Sequence, residues 1–270
     1  MNKPIGVIDS GVGGLTVVHE LMRQLPREKL IYLGDTLRCP YGPRTPEEIR
    51  KFTWDMVDFL LTKDIKMLVI ACNTATAYTL SELQDKLSIP VVGVIQPGAR
   101  AAIKSTLNDY VGIIGTEGTV RSNAYCDALN MLKPNMHLTS LACPAFVPMV
   151  EQGILSGEFA LSTVKKELQA LKDFAEMDTL ILGCTHYPLL KDVIQEVVGP
   201  EVTLISSSEE TARETSTILE VNQLLNDGLE ISRHQFYTTG DEKQFTSLTR
   251  KIFNSSIENL KTVSIERVVI

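Results

Sequence analysis

The residues best suited to chemistry in this chain are two cysteines, each closing a short apolar run: LVIAC at Leu68–Cys72 and LILGC at Leu180–Cys184. Each is followed by polar residues, Asn73-Thr74 in one case and Thr185-His186 in the other. Two thiols facing one cleft from opposite sides can remove a proton from one face of a carbon and deliver one to the other face. With one group deprotonated and the other protonated, the pair serves both directions, and each turnover exchanges their roles. That is the machinery needed to invert an α-carbon without a cofactor. A free thiol with a pKa of ~8.5 is only a few per cent thiolate at neutral pH, so it needs support. Asn73 and Thr185 stand where helices are expected to begin. A helix N-terminus offers N–H groups and a dipole that favour a thiolate or hold a carboxylate.

Cysteine is among the most buried residue types, so packing is the usual role of a cysteine in an apolar run. Cys126, inside an apparent helix, and Cys143, in Ala142-Cys143-Pro144, read as packing residues. Cys39 lies in a polar loop near Tyr41-Gly42, close to a site without catalysing anything. Cys72 and Cys184 stand apart because each ends a strand and each has the other as its counterpart. Asp9, beside Ser10 at the end of the first apolar run, is placed to tune the Cys72 thiol or bind a substrate ammonium; it is equally suited to capping its own turn. His186 could relay the Cys184 proton or be an ordinary structural histidine. Asp35 and Glu151 are weaker candidates. The odd number of cysteines argues against a disulfide framework, no C-x-x-C pair exists, and the four histidines are not at zinc spacings. No metal site is expected.

The elements that must position these residues follow from hydrophobic patterning. Apolar runs lie at Ile5–Ile8, Leu30–Leu33, Met67–Ile70, Val91–Ile95, Val111–Ile114, Leu138–Leu141, Leu180–Leu182 and Val202–Ile205; most lack strict alternation, which marks strands buried on both faces. Segments of helical period separate them. One opens at Thr45-Pro46-Glu47-Glu48, where Thr45 can cap, Pro46 suits the first helical position and Glu48 completes a capping box. Alternating strands and helices give right-handed crossovers and parallel sheet, so the fold class is α/β. The pattern also repeats: IGVIDSG then LVIACNTA in the first part, VGIIGTEGT then LILGCTHYP in the second. The reading is two similar doubly wound parallel-sheet domains related by pseudo-symmetry, with the site in the cleft between them, since ligands bind beyond the carboxyl ends of such strands. The boundary is expected near Gln96-Pro97-Gly98. Glu209–Asn226 is predicted as a long helix and Thr262–Val269 as a late strand. The tail is expected to return to the first domain, giving 1–97 with 208–270 and, as the second domain, 98–207.

Composition narrows the functional classes. The chain has 270 residues, 44% of them apolar and 22% charged, as in ordinary globular proteins. A net charge of −7 with no basic cluster disfavours nucleic acid and anionic membrane surfaces as partners. No apolar run approaches the ~20 residues of a membrane span. The start, MNKPIGVIDSG, lacks the charged and apolar regions of a signal peptide, so a cytoplasmic protein is expected.

At these residues the chain closely resembles the glutamate racemase family, within the wider aspartate/glutamate racemase superfamily. The segments that carry the resemblance are IGVIDSGVGGLTV, YLGDTLRCPYGPR, LVIACNTATA, GIIGTEGTVRS, ACPAFVPMVEQG and LILGCTHYPLL, in order from Ile5 to Leu190. The resemblance implies an isomerase independent of pyridoxal phosphate and of any other cofactor, with Cys72 and Cys184 as the two proton donors and acceptors. It implies substrate contacts from Asp9, Ser10, Tyr41, Gly42, Asn73, Thr74, Thr185 and His186, and supporting roles for Asp35 and Glu151. It also implies a small-molecule substrate, glutamate, a homodimer, and supply of D-glutamate for peptidoglycan synthesis. Some members carry an N-terminal extension linked to activation by a cell-wall precursor; the first motif here begins at Ile5, and that regulation is not expected.

Other readings compete. The nearest is another amino acid of the same superfamily, chiefly aspartate, which composition does not separate from glutamate. Gly11-Val12-Gly13-Gly14 after a strand superficially matches a dinucleotide fingerprint, but Thr16 stands where the third glycine is needed. A thiol hydrolase or acyl transferase built on Cys184 and His186 would leave Cys72 unexplained. A non-catalytic amino-acid-binding protein is the remaining class, but such proteins are commonly exported.

Overall fold

The computed structural model describes residues 3–228, 233–253 and 259–265. Ten strands are present among them: β1 (Ile5–Asp9), β2 (Leu30–Gly34), β3 (Met67–Ile70), β4 (Val91–Gly93), β5 (Tyr110–Gly115), β6 (His137–Ala142), β7 (Thr179–Gly183), β8 (Thr203–Ser206), β9 (Gln235–Thr238) and β10 (Leu260–Thr262). They form a six-stranded sheet ordered β10-β9-β2-β1-β3-β4 and a four-stranded sheet ordered β6-β5-β7-β8. Every pairing is parallel. The first four strands and the second four therefore have the same arrangement, in which the first strand of each set lies between the second and the third.

Burial on both faces explains the unbroken apolar runs. Successive side chains of a strand point to opposite faces. Ile5, Val7, Tyr32, Met67 and Val69 pack on one face of the larger sheet, and Ile8, Ile31, Leu33, Leu68 and Ile70 on the other. The smaller sheet divides likewise, with Ile114, Leu180 and Leu182 on one face and Val111, Ile113 and Ile181 on the other. Helices cover all four surfaces. The helix Pro46–Leu61 begins with the expected capping box: Thr45 Oγ1 accepts from the Glu48 N–H at 3.2 Å, and Glu48 Oε2 accepts from the Thr45 N–H at 3.0 Å.

Three local expectations change. Val91–Ile95 is strand only to Gly93; Ile95 begins the helix Ile95–Ser105, so Gln96, Pro97 and Gly98 lie in its first turn. Proline is tolerated there because its missing N–H would have no helical partner anyway. The helix expected over Glu209–Asn226 runs Ser207–Val221. The late strand is Leu260–Thr262; residues 263–265 are not in a strand, and the rest of the expected Thr262–Val269 lies outside the described residues. The helices Ile95–Ser105 and Ser207–Val221 both run between the two sheets and pack on each other, joined by the Arg100–Glu214 ion pair and by Lys104–Glu210 at 3.3 Å. Among the described residues, no helix is long and apolar enough to cross a membrane.

Candidate active site

β3 and β7 occupy equivalent places in the two sheets, and Cys72 and Cys184 follow them at equivalent carboxyl ends. Both line one small enclosed pocket between the sheets, together with Ser10, Pro40, Tyr41, Gly42, Asn73, Thr74, Thr116, Val147, Thr185 and His186. The free space among these residues suits about one water molecule.

Cys72 is the N-cap of the helix Asn73–Lys86, and its sulfur accepts from the Ala75 N–H at 3.4 Å. The thiol donates to Ser10 Oγ at 3.6 Å. Burial, helped by the nearby Asp9 carboxyl, pushes the Cys72 thiol up to about 12; the Ala75 and Ser10 contacts pull the other way. Cys184 differs in its surroundings. No α-helix begins at Thr185, contrary to expectation: a 3₁₀ turn at Tyr187–Leu190 precedes the helix Lys191–Val198. The neighbour of the Cys184 sulfur is instead His186 Nδ1, at 3.8 Å.

His186 is fully buried, and its Nε2 lies 2.6 Å from Glu151 Oε1. Burial would pull the imidazole down, but its hydrogen bonds with Cys184 and Glu151 outweigh this and hold it well above the usual histidine range. Glu151 is shifted the opposite way: burial pushes it up, yet the His186 hydrogen bond and charge leave it below the ordinary value. The two form a charged pair behind Cys184.

Asp9 connects the two halves. Its Oδ1 accepts from the Gly11 N–H at 3.0 Å, and its Oδ2 accepts from Thr185 Oγ1 at 3.1 Å. It thus caps its own turn and also reaches across to the Cys184 segment. Burial raises its pKa, against the lowering effects of His186, the Gly11 and Gly14 N–H groups and Thr185. The glycines after it leave room for these contacts. A Cβ on Gly13 would lie 2.5 Å from both His186 Nδ1 and Thr185 Oγ1, and one on Gly14 would lie 2.4 Å from Asp9 Cβ.

On the far wall, the Asn73 amide uses Oδ1 to accept from Tyr125 OH at 2.7 Å, while its Nδ2 is buried without a partner. A buried donor without a partner is costly, and a ligand oxygen would relieve that cost. Thr74 Oγ1 meets Thr116 Oγ1 at 2.8 Å and Thr119 Oγ1 at 3.1 Å, a hydroxyl cluster joining the two halves. Tyr41 lines the pocket, but its hydroxyl donates to Asp35 Oδ2 at 2.5 Å. Asp35 lies outside the pocket lining. It is buried under Tyr41, Arg38 Nε at 2.6 Å and Thr239 Oγ1 at 2.8 Å, and so anchors the loop that carries Tyr41 and Gly42.

Thr116, Pro40 and Val147 line the pocket without having been singled out. Thr116 had a signal: aligning Ile5–Ser10 with Val111–Thr116 places it opposite Ser10. Also unforeseen is that Cys39, Glu151 and His186 present a sulfur, an oxygen and a nitrogen all within 4.8 Å of one another.

The match to known proteins agrees with this geometry. Residues 5–215 match the Asp/Glu/hydantoin racemase family model, and the chain belongs to that family of α/β racemases. Within it, the chain is 65% identical over 263 residues to the glutamate racemase of Oceanobacillus iheyensis, covering 97% of this chain and 96% of that one. A solved glutamate racemase isoform from Bacillus anthracis superposes with a TM-score of 0.92 at 48% identity, covering 97% of each chain. The glutamate racemase of Francisella tularensis, solved with D-glutamate, gives 0.91 at 37% identity over 98% of each chain.

Proposed function

We propose that this protein interconverts L- and D-glutamate without a cofactor, with Cys72 and Cys184 exchanging the α-proton from opposite faces. One observation carries the reading: both sulfurs line a single pocket, each at the end of the equivalent strand of its sheet. The likeness to glutamate racemases over nearly the whole chain supports glutamate as the substrate.

In this reading the substrate's carboxylates are gripped by Asn73 Nδ2, the threonine hydroxyls, Ser10 and the N–H groups near Gly42 and Thr185. Asp9 faces the ammonium. That positive charge, brought beside a thiol held high by burial and by Asp9, favours the Cys72 thiolate when substrate is bound. On the other side, His186 Nδ1 lies 3.8 Å from the Cys184 sulfur with Glu151 behind it, placed to share the Cys184 proton. Asp35 holds the Tyr41-Gly42 wall. The two domains are taken as 1–97 with 208–270 and as 98–207, in a cytoplasmic homodimer supplying D-glutamate for peptidoglycan.

Dialysed, metal-free, reduced protein incubated with L-glutamate in deuterated water tests the assignment. D-glutamate carrying α-deuterium is the expected result. No D-glutamate and no exchange from folded protein would remove glutamate as substrate; turnover of aspartate under the same conditions would identify that acid instead.

A further inference from the structure

Cys39 has no part in the proton transfer described above, yet the fold brings it to the outer side of His186. Its Sγ lies 4.0 Å from Glu151 Oε1, the oxygen that also meets His186 Nε2 at 2.6 Å. The three donor atoms converge on one spot beside Gly11. A Cβ built there would lie 2.8 Å from Glu151 Oε1, 3.1 Å from Cys39 Sγ and 3.5 Å from His186 Cε1. The lack of a side chain at residue 11 therefore leaves a small cradle among a thiol, a carboxylate and an imidazole. The Glu151 side chain is 23% exposed, which opens the cradle to solvent.

We propose that Cys39, Glu151 and His186 form a binding site for a thiophilic divalent cation such as zinc, and that its occupancy inhibits the enzyme. Thiolate, imidazole and carboxylate together suit zinc and disfavour magnesium or calcium, which take oxygen donors. Zinc bonds of ~2.3 Å to sulfur and ~2.0–2.2 Å to nitrogen and oxygen place tetrahedral ligands roughly 3.4–3.6 Å apart. The His186–Glu151 contact must open and the Cys39–Glu151 contact close, each by less than about 1 Å on those bond lengths. The Cys39 thiol proton and the proton between His186 and Glu151 leave to solvent, and water completes the coordination. His186 Nε2 and Glu151 are then committed to the metal, and the charged pair behind Cys184 is lost. The effect on turnover rests on the racemase reading; the binding of the ion does not.

Reduced, chelator-treated protein titrated with Co²⁺ tests the site apart from activity. The expected result is a thiolate-to-cobalt charge-transfer band with tetrahedral visible bands, saturating at one equivalent and displaced by zinc. In Cys39→Ser the charge-transfer band disappears, basal racemisation persists, and at least tenfold more zinc is needed for half inhibition. X-ray absorption of the zinc-loaded natural protein needs no variant and should show one sulfur neighbour with nitrogen and oxygen. Absence of the cobalt band, its persistence in Cys39→Ser, or two sulfur neighbours, which would place the ion between Cys72 and Cys184, would each overturn the proposal.

Discussion

Gly13→Ala adds one methyl group against His186 and Thr185, and its effect follows from two distances. The added Cβ would lie 2.5 Å from His186 Nδ1 and 2.5 Å from Thr185 Oγ1. Ordinary van der Waals contact begins at 3.4 Å, so both side chains, or the turn carrying the alanine, must give by about 0.9 Å. Neither side chain has free space. His186 is held by Glu151 and Cys184, Thr185 is held by Asp9, and both are buried. A displacement of ~1 Å in a catalytic array costs about 100-fold in rate, equivalent to about 2.7 kcal/mol of barrier. The control is Gly157→Ala. Gly157 has φ +91°, and a Cβ there would meet nothing within 4 Å, so the strain costs ~1–3 kcal/mol of stability and leaves turnover unchanged. Initial rates of D-glutamate formation, read alongside thermal unfolding of both variants, make the comparison. A Gly13→Ala enzyme working within threefold of the natural one would refute the placement of Thr185 and His186 at the reacting centre.

Glu151→Gln removes the charged partner of His186 and should cost roughly 2 kcal/mol, or about 4 °C in melting temperature. The raised His186 pKa contributes stability below the unfolded histidine value of ~6.5 and loses it as pH rises through the folded value; the lowered Glu151 pKa contributes above ~4.3 and loses it as pH falls. The melting difference should therefore peak between about pH 5 and 6, and a pH-independent difference would contradict the charged pair. Arg38→Ala leaves Asp35 and Asp55 without the guanidinium that bridges them at 2.6 and 2.7 Å, and should destabilise by ~3 kcal/mol in denaturant unfolding; an unchanged midpoint would count against the anchored loop. Cys126→Ser and Cys143→Ser should both keep turnover within a factor of two, as steady-state rates would show. The fully buried Cys143 should lose stability when its sulfur becomes a hydroxyl.

The strands and the paired cysteines were legible because their cause is local. A strand covered on both faces needs a run of apolar residues, and the repeated run-then-cysteine pattern exposed the equivalence of β3 and β7. Where burial is weaker, so is the signal. The edge strand β6 still shows as the run Leu138–Leu141 although none of its residues is fully buried, whereas β9 is four residues beginning with a half-buried glutamine, and its run QFYT carries no comparable apolar signal. Val94 and Ile95 extend the β4 pattern because a buried helix start is as apolar as a strand. The contacts that tune the site were not legible, because they join distant segments: Glu151 reaches His186 across 35 positions and Cys39 across 112. The resemblance implies a substrate contact from Tyr41, but only the fold shows its hydroxyl engaged by Asp35.

The central claim, one sulfur on each face of the α-carbon, is tested most directly by where solvent deuterium goes first. L-glutamate is incubated with the enzyme in deuterated water, and both enantiomers are recovered before a tenth of the substrate has reacted. Two opposed groups predict D-glutamate fully labelled at the α-carbon and remaining L-glutamate essentially unlabelled, because the proton taken from one face is not returned there. Deuterium entering the remaining L-glutamate as fast as D-glutamate forms would mean that a single group serves both faces, and would contradict the account.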